Sequence, residues 1–104
     1  RKQWLAALPA QGVLHLDAGA ARVIRDHGRS LLGVGIKALS GDFTRGDVVS
    51  CVDEFGVELA RGLINYSAQE AERLCGQPSS EIEKIVGYVG DDEIIHRDNL
   101  VLLA

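Results

Sequence analysis

The sequence has no methionine, two prolines, two cysteines, and no aromatics beyond Trp4, Phe43, Phe55, Tyr66 and Tyr88. Each shortage narrows the field. A chain without methionine that opens on Arg1 reads as an excised or processed part of a longer protein. With so few aromatics, a platform for stacking nucleic-acid bases would be small. Cys51 and Cys75 are too far apart for a CxxC redox pair or a zinc knuckle. They read as small buried or half-buried thiols, which suits a reducing cytoplasm. Positive charge is also short: the formal net charge is −4. Dedicated nucleic-acid binders usually carry a basic excess, because neutralising phosphates supplies most of their affinity. No apolar run approaches the roughly 20 residues of a membrane span, and no signal-peptide pattern is visible.

What is present suits one small globular domain: 104 residues, 46% hydrophobic and 25% charged. A chain of this size buries roughly two-thirds of its unfolded surface, enough for one core without staples. Trp4, Leu5 and Leu8 have helical spacing ahead of Pro9 and Gly12, and Trp4 is expected to pack either on this domain's core or on a neighbouring domain. Val13–Leu16 is a strand candidate. Asp17 can cap a helix running to His27, with Ala20, Val23, Ile24 and His27 on its inner face and Gly28 as its stop. Ser30–Leu39 is β-compatible, with Gly33 and Gly35 marking a bend or a close backbone approach. Asp47–Asp53 and Val57–Leu63 form a hairpin pattern around Glu54-Phe55-Gly56; Ile64–Tyr66 can extend its second strand. Ser67-Ala68-Gln69-Glu70 is a capping box opening a helix that stops near Gly76. Ser80 and Glu83 suggest a second box, with Gly87 as the stop. Ile94–His96 and Leu100–Leu103 close the chain as strands. The order β-α-β-β-β-α-α-β-β lacks the alternation of a parallel α/β fold. It predicts a mixed α+β, mainly β domain: a small curved sheet or pseudobarrel with two or three short helices.

Three strings imitate active-site motifs. Gly33-Val34-Gly35-Ile36-Lys37-Ala38 matches GxGxxA, but a dinucleotide site needs it between a strand and a helix, and Ser40-Gly41-Asp42 reads as a turn. His96-Arg97-Asp98 imitates the protein-kinase catalytic loop, yet Leu103 stands where that loop needs a magnesium-binding Asn. It reads as a polar turn in which Asp98 and Asn99 bond nearby backbone. Asp91-Asp92-Glu93 reads as a solvated acidic loop. His15, His27 and His96 have no metal-ligand spacing. No catalytic, cofactor-binding or metal residue is assigned. One basic patch remains: Arg22, Arg25 and Arg29, with Lys37 further on. Arg22 and Arg25 share a helix side and can meet phosphates beside the Gly28 turn; Asp26 partly offsets them.

Two of these segments resemble the PUA domain. They are Val13–Gly19 (VLHLDAG) with its following helix and Gly28-Arg29-Ser30-Leu31-Leu32, and Phe43-Thr44-Arg45-Gly46-Asp47-Val48-Val49, a string of the F-x-R-G-D-x-V kind. Ala60-Arg61-Gly62-Leu63-Ile64-Asn65-Tyr66-Ser67, Ser80–Tyr88, His96–Leu103 and Arg1-Lys2-Gln3-Trp4-Leu5 are similar to strings of bacterial glutamate 5-kinases. Together they span nearly the whole chain. Gly33 departs from that pattern, which often has proline there; glycine is expected to loosen the start of the strand. The resemblance implies a C-terminal PUA-like pseudobarrel at 13–104, with 1–12 leading in from a preceding amino-acid-kinase domain. It further implies a homo-oligomeric parent enzyme that transfers the ATP γ-phosphate to L-glutamate with magnesium, the first step of proline biosynthesis. The ATP, magnesium and glutamate sites would lie in that preceding domain, leaving this segment non-catalytic and free of cofactors. PUA domains elsewhere bind structured RNA through the helix-to-strand turn, which here corresponds to Arg22, Arg25, Gly28, Arg29 and Ser30. RNA is therefore the alternative partner to the kinase domain, and no membrane is expected.

Overall fold

The structure, a computed structural model, describes residues 3–103. Strand β1 (Gly12–Leu16) turns Leu14 and Leu16 inward, both fully buried, while His15 between them faces solvent. Helix α2 (Ala18–His27) follows, then β2 (Ile36–Gly41), which returns antiparallel to β1. Strand β3 (Val48–Val52) pairs with the other edge of β1 in parallel. It then forms an antiparallel hairpin with β4 (Glu58–Leu63), which pairs with β5 (Leu100–Leu102). The sheet order is β2-β1-β3-β4-β5. Register shifts at His15/Leu16 and Cys51/Val52 bend it. The expected mixed, mainly β fold with short helices is what forms.

Strand β3 is buried along its whole length, so its alternation does not separate a wet face from a dry one. The turn of the β3–β4 hairpin is held by Asp53, whose Oδ1 accepts from the amides of Phe55 and Val57, both at 2.9 Å. Gly56 supplies the positive φ of 82° that this turn requires.

The helix signals fare unevenly. Asp17 caps α2 as expected, accepting from Ala20 N at 2.7 Å. The inward residues of α2 are Ala21 and Ile24; Val23 is 38% exposed and His27 lies in solvent. The small Ala21 lets the helix sit close to the sheet and leaves Val23 and His27 on the rim, so the expected inner face was set too far toward them. Helix α3 (Ala68–Leu74) has the Ser67–Glu70 capping box. The second box does not form. Ser79–Glu81 wind into a 3₁₀ turn, so α4 (Ile82–Val86) starts from a residue already helical and has no side-chain cap.

One expected strand extension and one expected strand are absent. The sheet stops at Leu63 because the Ile64 amide turns to the Asp47 carbonyl and the Asn65 amide to the Ile94 carbonyl. Ile64 and Tyr66 enter the core instead. Ile94–His96 contributes a single bridge, Ile95 to Leu31. Its partner segment leaves the pairing after Leu31 for a 3₁₀ turn at Gly33–Gly35. The two glycines there mark close approach: a Cβ on Gly33 would lie 2.7 Å from the Leu74 carbonyl oxygen, and one on Gly35 2.5 Å from Ala20 Cβ. Gly33 therefore docks the turn on the end of α3 and does not loosen a strand. Asp98 and Asn99 sit in a further 3₁₀ turn at Arg97–Asn99, capped by His96 Nδ1, which accepts from the Asp98 amide at 3.0 Å. The expected backbone bonds from their own side chains are replaced by that cap.

The main core joins Leu14, Leu16, Ile24, Leu31, Val49, Cys51, Ile64, Tyr66, Leu74 and Ile95. A second, small cluster joins Leu5, Val48 and Val101. Leu5 belongs to α1 (Trp4–Ala7), and it rather than Trp4 anchors that helix; Trp4 is 54% exposed. The described residues hold four α-helices, the four-residue α1 being the one beyond the two or three expected. Arg1 and Lys2, part of the lead-in segment 1–12 and of its resemblance string, lie outside the described residues.

Candidate functional site

Helix α2 ends where Gly28 adopts a left-handed conformation (φ 59°) and donates its amide to the Ile24 carbonyl at 2.9 Å. This turn presents Arg29 and Ser30 beside the last 3₁₀ turn. Ser30 Oγ accepts from the Arg97 amide at 2.8 Å. Arg29, Ser30, Leu32, Glu93, His96 and Arg97 line an open cleft of about 400 Å³. Arg22 and Arg25 project from α2 into solvent outside this cleft. Arg25 turns to Asp26 at 3.3 Å, while Arg22 and Arg29 have no ion pair among the described residues. Lys37 stands exposed on β2 and does not line the cleft. The structure thus keeps Arg29 and Ser30 together and adds His96 and Arg97, which sequence reasoning set aside as a polar turn. The Leu31–Ile95 bridge and the Ser30–Arg97 bond make them neighbours, and no local signal announces a pairing across more than sixty residues.

A second cleft of about 300 Å³ adjoins the first, between α2 and the Gly33–Gly35 turn. It is mainly apolar, and Val23, Leu32 and Val34 are its exposed side chains. No Phe, Tyr or Trp lines either cleft.

Elsewhere the chemistry is structural. Burial, and secondarily the charge of Glu58, push the Cys51 thiol up to about 12, so it stays protonated and unreactive. Burial also raises the Cys75 thiol. No His, Cys, Asp or Glu group among the described residues could hold a metal ion. In the acidic loop the main-chain carbonyls bear the load. Tyr66 Oη donates to that of Asp91, Ser79 Oγ to that of Asp92 at 3.0 Å, and Asn65 Nδ2 to that of Glu93 at 3.0 Å. The Asp91 carboxylate meets Arg45 at 3.1 Å.

A third concavity, of about 530 Å³, lies beside α1 and includes Trp4, Leu8, Pro9, Val48 and Leu63 in its walls. Helix α1 is held there by Arg61 of β4, whose Nη1 donates to the carbonyls of Ala6 (3.2 Å) and Leu8 (2.6 Å). Arg61 Nε in turn donates to Glu58 Oε2 at 2.7 Å, and Ser50 Oγ donates to the same oxygen. The hydrogen bond from Arg61 holds the Glu58 carboxyl below the usual carboxylate range, and Glu58 raises the guanidinium.

The chain belongs to the PUA domain family, whose model matches residues 12–86. The fold agrees. A PUA domain from Aeropyrum pernix K1, solved as a tartrate complex, superposes with a TM-score of 0.61 at 22% identity, covering 91% of this chain and 48% of that one. A conserved PUA domain protein from Thermoplasma acidophilum gives 0.55 at 21%, covering 81% and 47%. Within the family, the sequence matches the C-terminal region of glutamate 5-kinases. Identity is 57% over 103 residues to that of Teredinibacter turnerae and 59% over 104 residues to that of Thioalkalivibrio sulfidiphilus. These matches cover 98% and 99% of this chain, and the chain spans 28% of the length of each of these two relatives. No described helix is long and apolar enough to cross a membrane.

Proposed function

We propose that this chain is the non-catalytic accessory domain of a glutamate 5-kinase, modulating the activity or assembly of a preceding amino-acid-kinase domain. That domain would carry the ATP, magnesium and glutamate sites, and the whole would work in the cytoplasm as a homo-oligomer. The carrying observation is the match itself: nearly all of this chain aligns at 57% identity with proteins of which it spans 28%. The charge, the scarce aromatics and the unreactive thiols are consistent with this role. The test compares the full-length kinase with a version lacking the segment 13–104. ATP-dependent phosphorylation of glutamate should survive the deletion, while KM, inhibition by proline or the oligomeric state should change. A truncated enzyme identical to the parent in all three would sink the accessory role. Loss of all turnover in a folded truncated enzyme would sink the non-catalytic one.

A second reading, an RNA-binding module, is favoured by one observation: Arg29, His96 and Arg97 converge on one cleft. PUA domains in general bind RNA. This reading expects saturable binding of structured RNA. With about three phosphate contacts, affinity should fall some tens of fold between roughly 50 and 200 mM salt. Arg22→Ala and Arg29→Ala should each weaken binding and flatten that dependence. Filter-binding titrations decide it, and tight binding indifferent to salt and to both substitutions would exclude this cleft. No Phe, Tyr or Trp lines either cleft, which leaves base stacking to His96 and the arginines alone, and that is why this reading ranks second.

A further inference from the structure

We propose that the groove beside α1 is the seat of the kinase part of the chain; this rests on the accessory-domain reading above. In the glutamate 5-kinases the matched region is C-terminal and the chain spans 28% of their length. In such a chain the preceding part enters through Gln3 and Trp4. Helix α1 is only four residues long and cannot persist by itself. Here it is fastened from below, by Leu5 in the small core cluster and by Arg61 at two carbonyls. Beside that anchor its apolar side chains are left bare: Trp4 is 54% exposed, and Leu8 at its C-cap 38%. A clamped helix with an uncovered tryptophan suits a partner that packs on it.

The groove's chemistry selects that partner. Its walls include Trp4, Leu8, Pro9, Val48 and Leu63, and the one charged residue among its described walls is Asp47. The Asp47 carboxylate already accepts from the Thr44 amide at 2.8 Å. Among the described residues no cation lines the groove, so its walls offer phosphates no partner. An apolar protein surface centred on a tryptophan is the usual make-up of an interface core. The Arg61–Glu58 pair fixes the helix to the sheet and so fixes the direction from which the kinase domain arrives. Arg61 acts as a positioning residue, and the string from Ala60 to Ser67 acquires an interdomain role.

The experiment uses the full-length kinase with p-benzoylphenylalanine in place of Trp4, Leu8 or Phe55 in separate proteins. Phe55 is 82% exposed at the hairpin tip, beyond the far end of β3 from Val48. Irradiation followed by peptide mass spectrometry should give cross-links within one chain from positions 4 and 8 to kinase-domain peptides. Their yield should be several-fold above that from position 55. Cross-links only to a second copy, only within this domain, or equally from position 55 would overturn the proposal. The accessory reading is tested independently. Unchanged kinetics on deletion with a mapped cross-link would sink that reading and keep the seat, whereas changed kinetics without the cross-link would do the reverse.

Discussion

Tyr66→Ala is expected to cost about 3–5 kcal/mol of stability, the range for removing a large buried aromatic. Tyr66 is fully buried, and its hydroxyl donates to the Asp91 carbonyl. The ring packs in the main core, and the hydroxyl staples the acidic loop to it. Gly90 is shaped to the same ring: a Cβ there would lie 2.5 Å from Tyr66 Oη. For a domain whose total stability is on the order of 5–15 kcal/mol, such a loss is a large share, and near the lower end of that range it leaves up to about half of the protein unfolded. Chemical denaturation measures it, and a loss below about 1 kcal/mol would contradict the packing described. Tyr66→Phe separates ring from hydroxyl and should cost about 1–3 kcal/mol, because it leaves the Asp91 carbonyl without that donor. It should also change the pH response. Burial, with smaller contributions from Asp91, Tyr88 and Glu70, pushes the phenol up to about 12 from the ordinary 10.0. Below pH 10 both folded and unfolded chains keep the proton. Between pH 10 and about 12 the unfolded chain loses it first, so stability falls as pH rises. The slope of stability against pH over that interval should be shallower in Tyr66→Phe than in the parent protein.

Local chemistry made much of this fold legible. Asp17, Ser67, Gly28 and Gly87 mark helix ends through bonds or backbone angles settled within a few residues. The β3–β4 hairpin is equally local, written in Asp53, Gly56 and the flanking alternation. The failures have other causes. Ile64–Tyr66 has strand composition, yet its amides are drawn to Asp47 and Ile94. Ile94–His96 has it too, but finds only Leu31 to pair with. Ser80 and Glu83 have capping-box spacing, but a 3₁₀ turn claims Ser80 first. In the first two cases a contact from outside the segment outbid its own preference, and in the third a competing local turn did. The candidate cleft divides the same way. Arg29 and Ser30 were legible because they flank a glycine stop, whereas His96 and Arg97 join them only through the Leu31–Ile95 bridge and the Ser30–Arg97 bond. Arg61 was visible only as a letter in a resemblance, because its partners Ala6 and Leu8 lie more than fifty residues away.

Arg61→Ala is expected to release α1 and to cost about 2 kcal/mol, the scale of hydrogen bonds to a charged group. The side chains of Arg61 and Glu58 are 24% and 31% exposed, so screening trims the ionic part of that figure. The loss should be localised. Amide exchange should quicken across Trp4–Leu8, and emission from Trp4, the single tryptophan of the sequence, should quench more readily. The β3–β4 hairpin should stay protected. Arg61→Lys should restore the charge without the structure, since an ammonium cannot serve Glu58 and two carbonyls with the spread of a guanidinium. Acid provides a second handle. The Arg61 hydrogen bond holds the Glu58 carboxyl below its ordinary 4.5. The stabilisation is therefore present above pH 4.5 and lost as pH falls through the lower folded value. Removing Arg61 should shrink that acid-dependent loss and leave stability near neutral pH already reduced. A variant that kept α1 protected and the acid response unchanged would mean that Leu5 alone holds the helix. The direction in which a preceding domain joins would then be set by apolar packing, with no contribution from the latch on β4.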